Sequence, residues 1–143
     1  MTYADSSFLV SLYIQDSNTE AANKHLSVAR SYLLLTNFSK FEAEHAVRCL
    51  AFRKLITIGE MTQGLIHFER GQTEGVFEFR KIESDDLFRK AAQLSNRHAV
   101  EHGVRYLDML HVASALLANA TRFLTFDLRQ RKFAQAVGLD VKI

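Results

Sequence analysis

Short apolar runs of strand length alternate with segments of helical period along the whole chain. Residues 2–5, 31–36, 76–82, 121–126 and 139–143 read as strands. Between them lie helical segments over 7–15, from 17–20 to about Arg30, from Ser39 to about Lys54, from Thr57 to Arg70, and over 84–102, 108–118 and 128–137. S-N-T-E (17–20), S-K-F-E (39–42) and T-I-G-E (57–60) have the form of capping boxes, and Gly103 and Gly138 stand where helices should stop. The third of these helices carries Ala43, Ala46, Val47 and Leu50 on one face, and the last turns Phe133, Ala136 and Val137 inward. The order β-α-α-β-α-α-β-α-α-β-α-β predicts parallel crossovers and a sheet covered by helices on both faces. With no proline, repeat or linker in 143 residues, the whole chain reads as one domain.

This architecture gives meaning to the positions of four acids. In an open parallel sheet the carboxyl ends of the strands line one crevice. Asp5 and Asp127 directly follow strands, whereas Glu42 and Asp108 open helices. Only folding can gather residues so far apart in sequence. Carboxylates crowded together repel unless a hard cation, Mg²⁺ or Mn²⁺, joins them, and such a cluster can hold that ion against a phosphate. Each acid also has a simpler reading. Asp5 and Asp127 fit N-caps, Asp108 favours the positive end of a buried helix, and Glu42 fits the third position after Ser39. The two readings overlap, because a carboxylate at a helix N-terminus can also face the crevice. Glu44 borders the same apolar face from the other side. Periodicity does not choose between it and Glu42, and the first-turn position favours Glu42 slightly.

Other groups surround the acids. Ser6 and Ser7 follow Asp5, and Thr125 precedes Asp127 by two residues. Their hydroxyls can hold the carboxylates or metal-bound water, or can simply cap a helix. Arg122, Arg129, Arg131 and Lys132 flank Asp127 and can contact phosphates, although a solvated helix face has the same composition. A net charge of +2 does not by itself imply nucleic acid. The single cysteine, Cys49, cannot form an internal disulfide; it reads as a packed thiol in a reducing cytoplasm. The N-terminus lacks a basic region and is broken by Asp5, unlike a secretory signal, and no apolar stretch is long enough to span a membrane.

Three further patterns are set aside. H-A-V-E-H (98–102) matches an inverted zinc-peptidase motif, but a peptidase would need a further distant ligand and a substrate cleft, for which the chain is short, and a solvated helix end explains it. His111, one turn from Asp108, can bond an acid or RNA, but a satisfied, largely buried histidine is the favoured reading. No glycine-rich phosphate loop is present, and D-S-S lacks the second Asp of the haloacid-dehalogenase phosphatases.

Four segments, Y-A-D-S-S-F-L-V, T-N-F-S-K-F-E, R-Y-L-D-M-L-H-V-A-S-A-L and F-L-T-F-D-L-R…A-x-x-x-G-L-D-V, occur in this order. Together they resemble the PIN-domain ribonucleases, especially the small VapC-type toxins of prokaryotic toxin–antitoxin pairs. The resemblance covers nearly the whole chain. It implies an α/β/α sandwich with a five-stranded parallel sheet and RNA cleavage dependent on Mg²⁺ or Mn²⁺. It implies that Asp5, Glu42, Asp108 and Asp127 are the catalytic, metal-holding acids, and it places Glu42 rather than Glu44 in the site. It also implies a homodimer and inhibition by a cognate antitoxin. Met109 stands where Ala is common, and Phe41 is bulky for its position. The alternative is a non-catalytic RNA-binding or assembly module of the same fold.

Overall fold

The computed structural model describes residues 1–29 and 32–143. Its elements run β1 (Thr2–Ala4), α1 (Ser6–Tyr13), α2 (Thr19–Ala29), β2 (Leu33–Thr36), α3 (Asn37–Phe52), α4 (Ile58–Thr73), β3 (Phe77–Arg80), α5 (Ser84–His102), α6 (Tyr106–Leu117), β4 (Arg122–Leu124), α7 (Leu128–Ala136) and β5 (Asp140–Lys142). All strand pairs are parallel, in the order β3-β2-β1-β4-β5. The expected helix end at Arg30 and the expected strand start at Ser31 lie outside the described residues.

The strand order reverses at β1. The chain moves outward from β1 through β2 to β3, then crosses to β4 and β5 on the other side. Crossovers of one hand that run in opposite directions place their helices on opposite faces. The core divides accordingly. Tyr3, Leu34 and Phe123 point to a face packed by Leu87, Ala91 and Leu94 of α5, the apolar residues of α6, and Phe133 and Ala134 of α7. Their neighbours Ala4, Leu33, Leu35 and Leu124 point to the other face, against Phe8 and Leu9 of α1, Ala22 of α2, Ala43 of α3 and Phe68 of α4. Strand alternation thus builds two apolar layers around one sheet, a three-layer α/β/α arrangement. Each large side chain fully buried there contributes roughly 1.5–3 kcal/mol.

Several local expectations shift. α3 opens at Asn37, two residues before the S-K-F-E box begins. Thr36 is its N-cap: Ser39 N donates to Thr36 Oγ1 (3.2 Å) and Thr36 N donates to Ser39 Oγ (2.9 Å). Thr36 leaves β2 with extended backbone, so strand end and helix cap are one residue, and Ser39 takes the role usually held by Glu. Glu42 therefore sits in the second turn. α2 opens at Thr19, not with a Ser17–Glu20 box; Asp16 and Thr19 bond across that entry, Asp16 N donating to Thr19 Oγ1 (2.8 Å). The Thr57–Glu60 box forms as expected, but α4 continues to Thr73. In α7 the inward residues are Gln130, Phe133 and Ala134, with Val137 partly buried, whereas Ala136 is exposed. That is the i, i+3, i+4, i+7 stripe of a helix lying on the sheet. Gly103 ends α5 in the left-handed region, at φ 57°, where a side chain would be strained.

Candidate functional site

The carboxyl ends of β1 and β4 lie side by side where the strand order reverses, the position at which open sheets leave a crevice. A cavity of about 370 Å³ opens there. Asp5, Glu42, Asp108 and Asp127 all line it, together with Ser6, Ser7, Arg105, His111 and Gln130. Four acids from four different elements therefore meet in one place. Glu44 does not join them; it pairs on the surface with Lys40 and Arg48.

Asp5 is the most enclosed acid, 2% exposed. It caps α1, with Oδ1 accepting from Phe8 N (2.9 Å) and Ser7 Oγ (2.7 Å). Its Oδ2 accepts from Thr125 Oγ1 (2.6 Å). Ser7 and Thr125 also receive the chain after β4: Phe126 N donates to Ser7 Oγ (3.2 Å) and Asp127 N to Thr125 Oγ1 (3.0 Å). The two hydroxyls thus tie the ends of β1 and β4 through one carboxylate. Burial pushes the Asp5 carboxyl above its usual range, against the opposing pull of the His111 charge and of the bonds from Thr125, Phe8 and Ser7.

Asp127 caps α7, and its Oδ1 accepts from Arg129 N (2.8 Å) and Gln130 N (3.3 Å). Partial burial pushes its carboxyl up, but these amides and the charges of Arg105 and Arg129 outweigh it and hold the group below its usual range. Asp108 is not a cap. It lies in the first turn of α6, buried, and accepts from Arg105 Nε (2.9 Å) and Nη2 (3.3 Å). The same Nη2 donates to Asp127 Oδ2 (2.7 Å).

Glu42 is held by His111, whose Nε2 bonds Glu42 Oε2. Burial raises the Glu42 carboxyl, yet the bond and charge of His111, with Ser6 and Arg105 beside them, bring it below its usual range. On the other side of the imidazole, Nδ1 lies 2.9 Å from Tyr3 Oη. Burial pushes the Tyr3 phenol up, so it stays protonated beside the imidazole. His111, 2% exposed, is thus both the satisfied core histidine and the partner of an acid.

Sequence reasoning overlooks Arg105 and Tyr3. Arg105 stands three residues before Asp108, a spacing that pairs opposite charges on a helix. Of the expected RNA-contacting cations, Arg129 and Lys132 are exposed, whereas Arg131 is half-buried and its Nε has no hydrogen-bond partner among the described residues. The only cation lining the cavity, among the described residues, is Arg105. Cys49 is half-buried, 3.4 Å from His45 Nε2. The H-A-V-E-H histidines are less solvated than expected, for His98 and His102 both pack against Phe133.

The donor set fits a hard divalent ion, because all four candidate ligands are carboxylates facing one cavity. Among the described residues, no three His, Cys, Asp or Glu side chains form a ready-made ligand group. The acids are turned instead to Arg105, His111 and the helix amides.

A family profile described as PIN domain matches residues 2–136. No curated protein matches the sequence closely enough to count as a relative. Solved structures share the fold. VapC20 of Mycobacterium tuberculosis, described as a sarcin–ricin loop cleaving toxin, superposes with a TM-score of 0.71 at 16% identity, covering 100% of both chains. VapBC2 from Rickettsia felis, bound to a DNA fragment from its promoter, gives 0.66 at 15% identity, covering 99% of this chain and 98% of the other. FitAcB from Neisseria gonorrhoeae gives 0.66 at 17% identity, covering 100% and 97%.

Proposed function

The chain belongs to the PIN domain family, and we propose that it is a Mg²⁺- or Mn²⁺-dependent endoribonuclease acting as the toxin of a toxin–antitoxin pair. One observation carries this reading: Asp5, Glu42, Asp108 and Asp127 reach a single cavity from four separate elements. A protein that needed only helix caps would have no reason to aim all four at one point. The fold is shared with VapC20, described as a sarcin–ricin loop cleaving toxin, which supports this reading.

A divalent ion bound by the four acids would supply an activated water at neutral pH and neutralise charge on the phosphate. The chain's own residues do the positioning. Ser7 and Thr125 fix the Asp5 carboxylate. Tyr3 and His111 fix Glu42. Arg105, more than half exposed, can turn from the acids to a phosphate oxygen. Arg129 and Lys132 offer backbone contacts beside Asp127.

A cognate antitoxin and a second copy of the chain are the protein partners of this reading. A groove of about 700 Å³ next to the acids is lined by Val10, Ile14, Leu50, Leu55, Ile56 and Leu107, and Phe52 and Ile58 are exposed nearby in sequence. These apolar side chains beside the acids are what supports a protein partner in this reading.

The reading is tested by incubating the purified protein with RNA in Mg²⁺ or Mn²⁺, with and without EDTA. Cleavage should require the metal and disappear in Asp108→Asn. The competing reading, a non-catalytic RNA-binding or assembly module, draws on the caps made by Asp5 and Asp127. It gains if RNA is bound but never cut under any divalent ion.

A further inference from the structure

Phe38, Phe41, Glu42 and His45 lie at i, i+3, i+4 and i+7 of α3, so they share one stripe of the helix. The stripe starts inside the site: Phe38 meets the His111 ring edge-on, with centroids 4.8 Å apart. Glu42 sits in its middle, bonded to His111. Beyond Glu42 the stripe reaches solvent. Phe41 is 68% exposed, and a lone exposed phenylalanine would mean little. Here, however, its ring lies parallel to that of His45, at 8° and 5.9 Å between centroids. The His45 ring is itself positioned by Cys49, whose Sγ lies 3.4 Å from Nε2. His45 lines the 700 Å³ groove, which shares Ser6, Ser7 and Glu42 with the acid cavity, and the exposed Arg53 that caps α3 lines the same groove.

Two parallel flat rings beside a phosphate site, with a cation about 12 Å beyond His45 along the helix axis, match the chemistry of a single-stranded nucleic acid. Unpaired bases stack on aromatic faces whatever their sequence, and the backbone between them carries charge for arginine. Bases in a duplex have both faces covered. We propose that Phe41 and His45 form a stacking platform for an unpaired base adjoining the scissile phosphate, with Arg53 meeting a phosphate further along the strand. This specificity role rests on the nuclease reading of the acids: the platform selects single-stranded RNA, and the acids cut it.

The test is single-turnover cleavage of a labelled, unstructured oligoribonucleotide in Mn²⁺, with protein in excess. Phe41→Ala should raise the half-saturating protein concentration about ten- to hundredfold while the limiting rate stays near that of the wild type. Phe41→Trp should restore tight binding, and Phe41→Leu should not, because leucine is apolar but has no ring face. The same strand annealed to its complement should show no difference among the variants. Phe41 is exposed, so all three should melt close to the wild type. If Phe41→Ala saturates like the wild type, or slows only the limiting rate, the platform is wrong although the nuclease reading stands. If Phe41→Ala leaves RNA saturation unchanged and abolishes binding of the cognate antitoxin, the face belongs to the protein partner and the platform is again wrong. If the wild type cuts neither this strand nor total cellular RNA, both proposals fail together.

Discussion

Arg105 grips Asp108 with two hydrogen bonds, from Nε at 2.9 Å and Nη2 at 3.3 Å. A third, at 2.7 Å, reaches Asp127. One guanidinium thus answers two of the four carboxylates of the cavity, in the planar, charge-assisted geometry at which arginine excels. The site carries its own counter-charge, and a divalent ion must compete with it for the same oxygens.

Arg105→Ala removes that competitor. The variant should melt lower than the wild type in EDTA, because two neighbouring carboxylates lose their shared partner. It should also be stabilised by Mn²⁺ at lower concentration, since only the folded state holds the ion. A thermal-shift titration with Mn²⁺ reads both effects. An unchanged or higher Mn²⁺ midpoint would show that Arg105 does not contend with metal.

Asp5→Asn probes the most buried acid. Asn can still cap α1 through its oxygen. The Asp5 carboxyl holds its proton to higher pH folded than unfolded, where its usual value is 3.8. Between those two values the folded state binds more protons, so this group lowers stability as pH rises and its full cost is present above the folded value. Asn carries no such cost. In EDTA at pH 7 the variant should be more stable than the wild type, and the gap should close as the pH falls toward 4. RNA cleavage should be lost. Equal urea midpoints at pH 7 would argue that the burial of Asp5 is harmless, and full cleavage would remove Asp5 from the site.

The sheet and the four acids were legible in the sequence for different reasons. Leu33–Thr36 and Arg122–Leu124 are short apolar runs between clear helices, so strand type and order followed from periodicity. Asp5 and Asp127 follow strands directly, which fixes them at the sheet rim. The S-K-F-E pattern puts Glu42 in the first turn, but Thr36, the last residue of β2, caps the helix three residues earlier and moves Glu42 to the second turn. Its place in the cavity comes from the stripe that begins at Phe38. Tyr3–His111 was hidden because the two residues are 108 positions apart and no local pattern links them. Arg105 could have been found from the R-x-x-D spacing, but its second bond to Asp127 depends on the tertiary packing of α6 beside the end of β4.

His111 should separate structural from catalytic roles. His111→Ala empties a buried site and strands both the Tyr3 hydroxyl and the Glu42 carboxylate, so it should cost about 2–4 kcal/mol in urea unfolding. Tyr3→Phe loses one bond and should cost about 1–2 kcal/mol. Glu42→Gln keeps an acceptor for Nε2 and should stay within about 1 kcal/mol of the wild type, yet lose cleavage. A Glu42→Gln protein with undiminished metal-dependent cleavage would place the fourth ligand elsewhere.

On the proposed function these four carboxylates close on one divalent ion. Crystals soaked in Mn²⁺ and measured at the manganese absorption edge test it most directly. An anomalous peak should appear among Asp5, Glu42, Asp108 and Asp127, with carboxylate oxygens at about 2.0–2.2 Å, the range of a small hard cation, and Arg105 turned away from Asp108 and Asp127. No peak in that cavity, with Arg105 still bridging the two aspartates at saturating Mn²⁺, would contradict it.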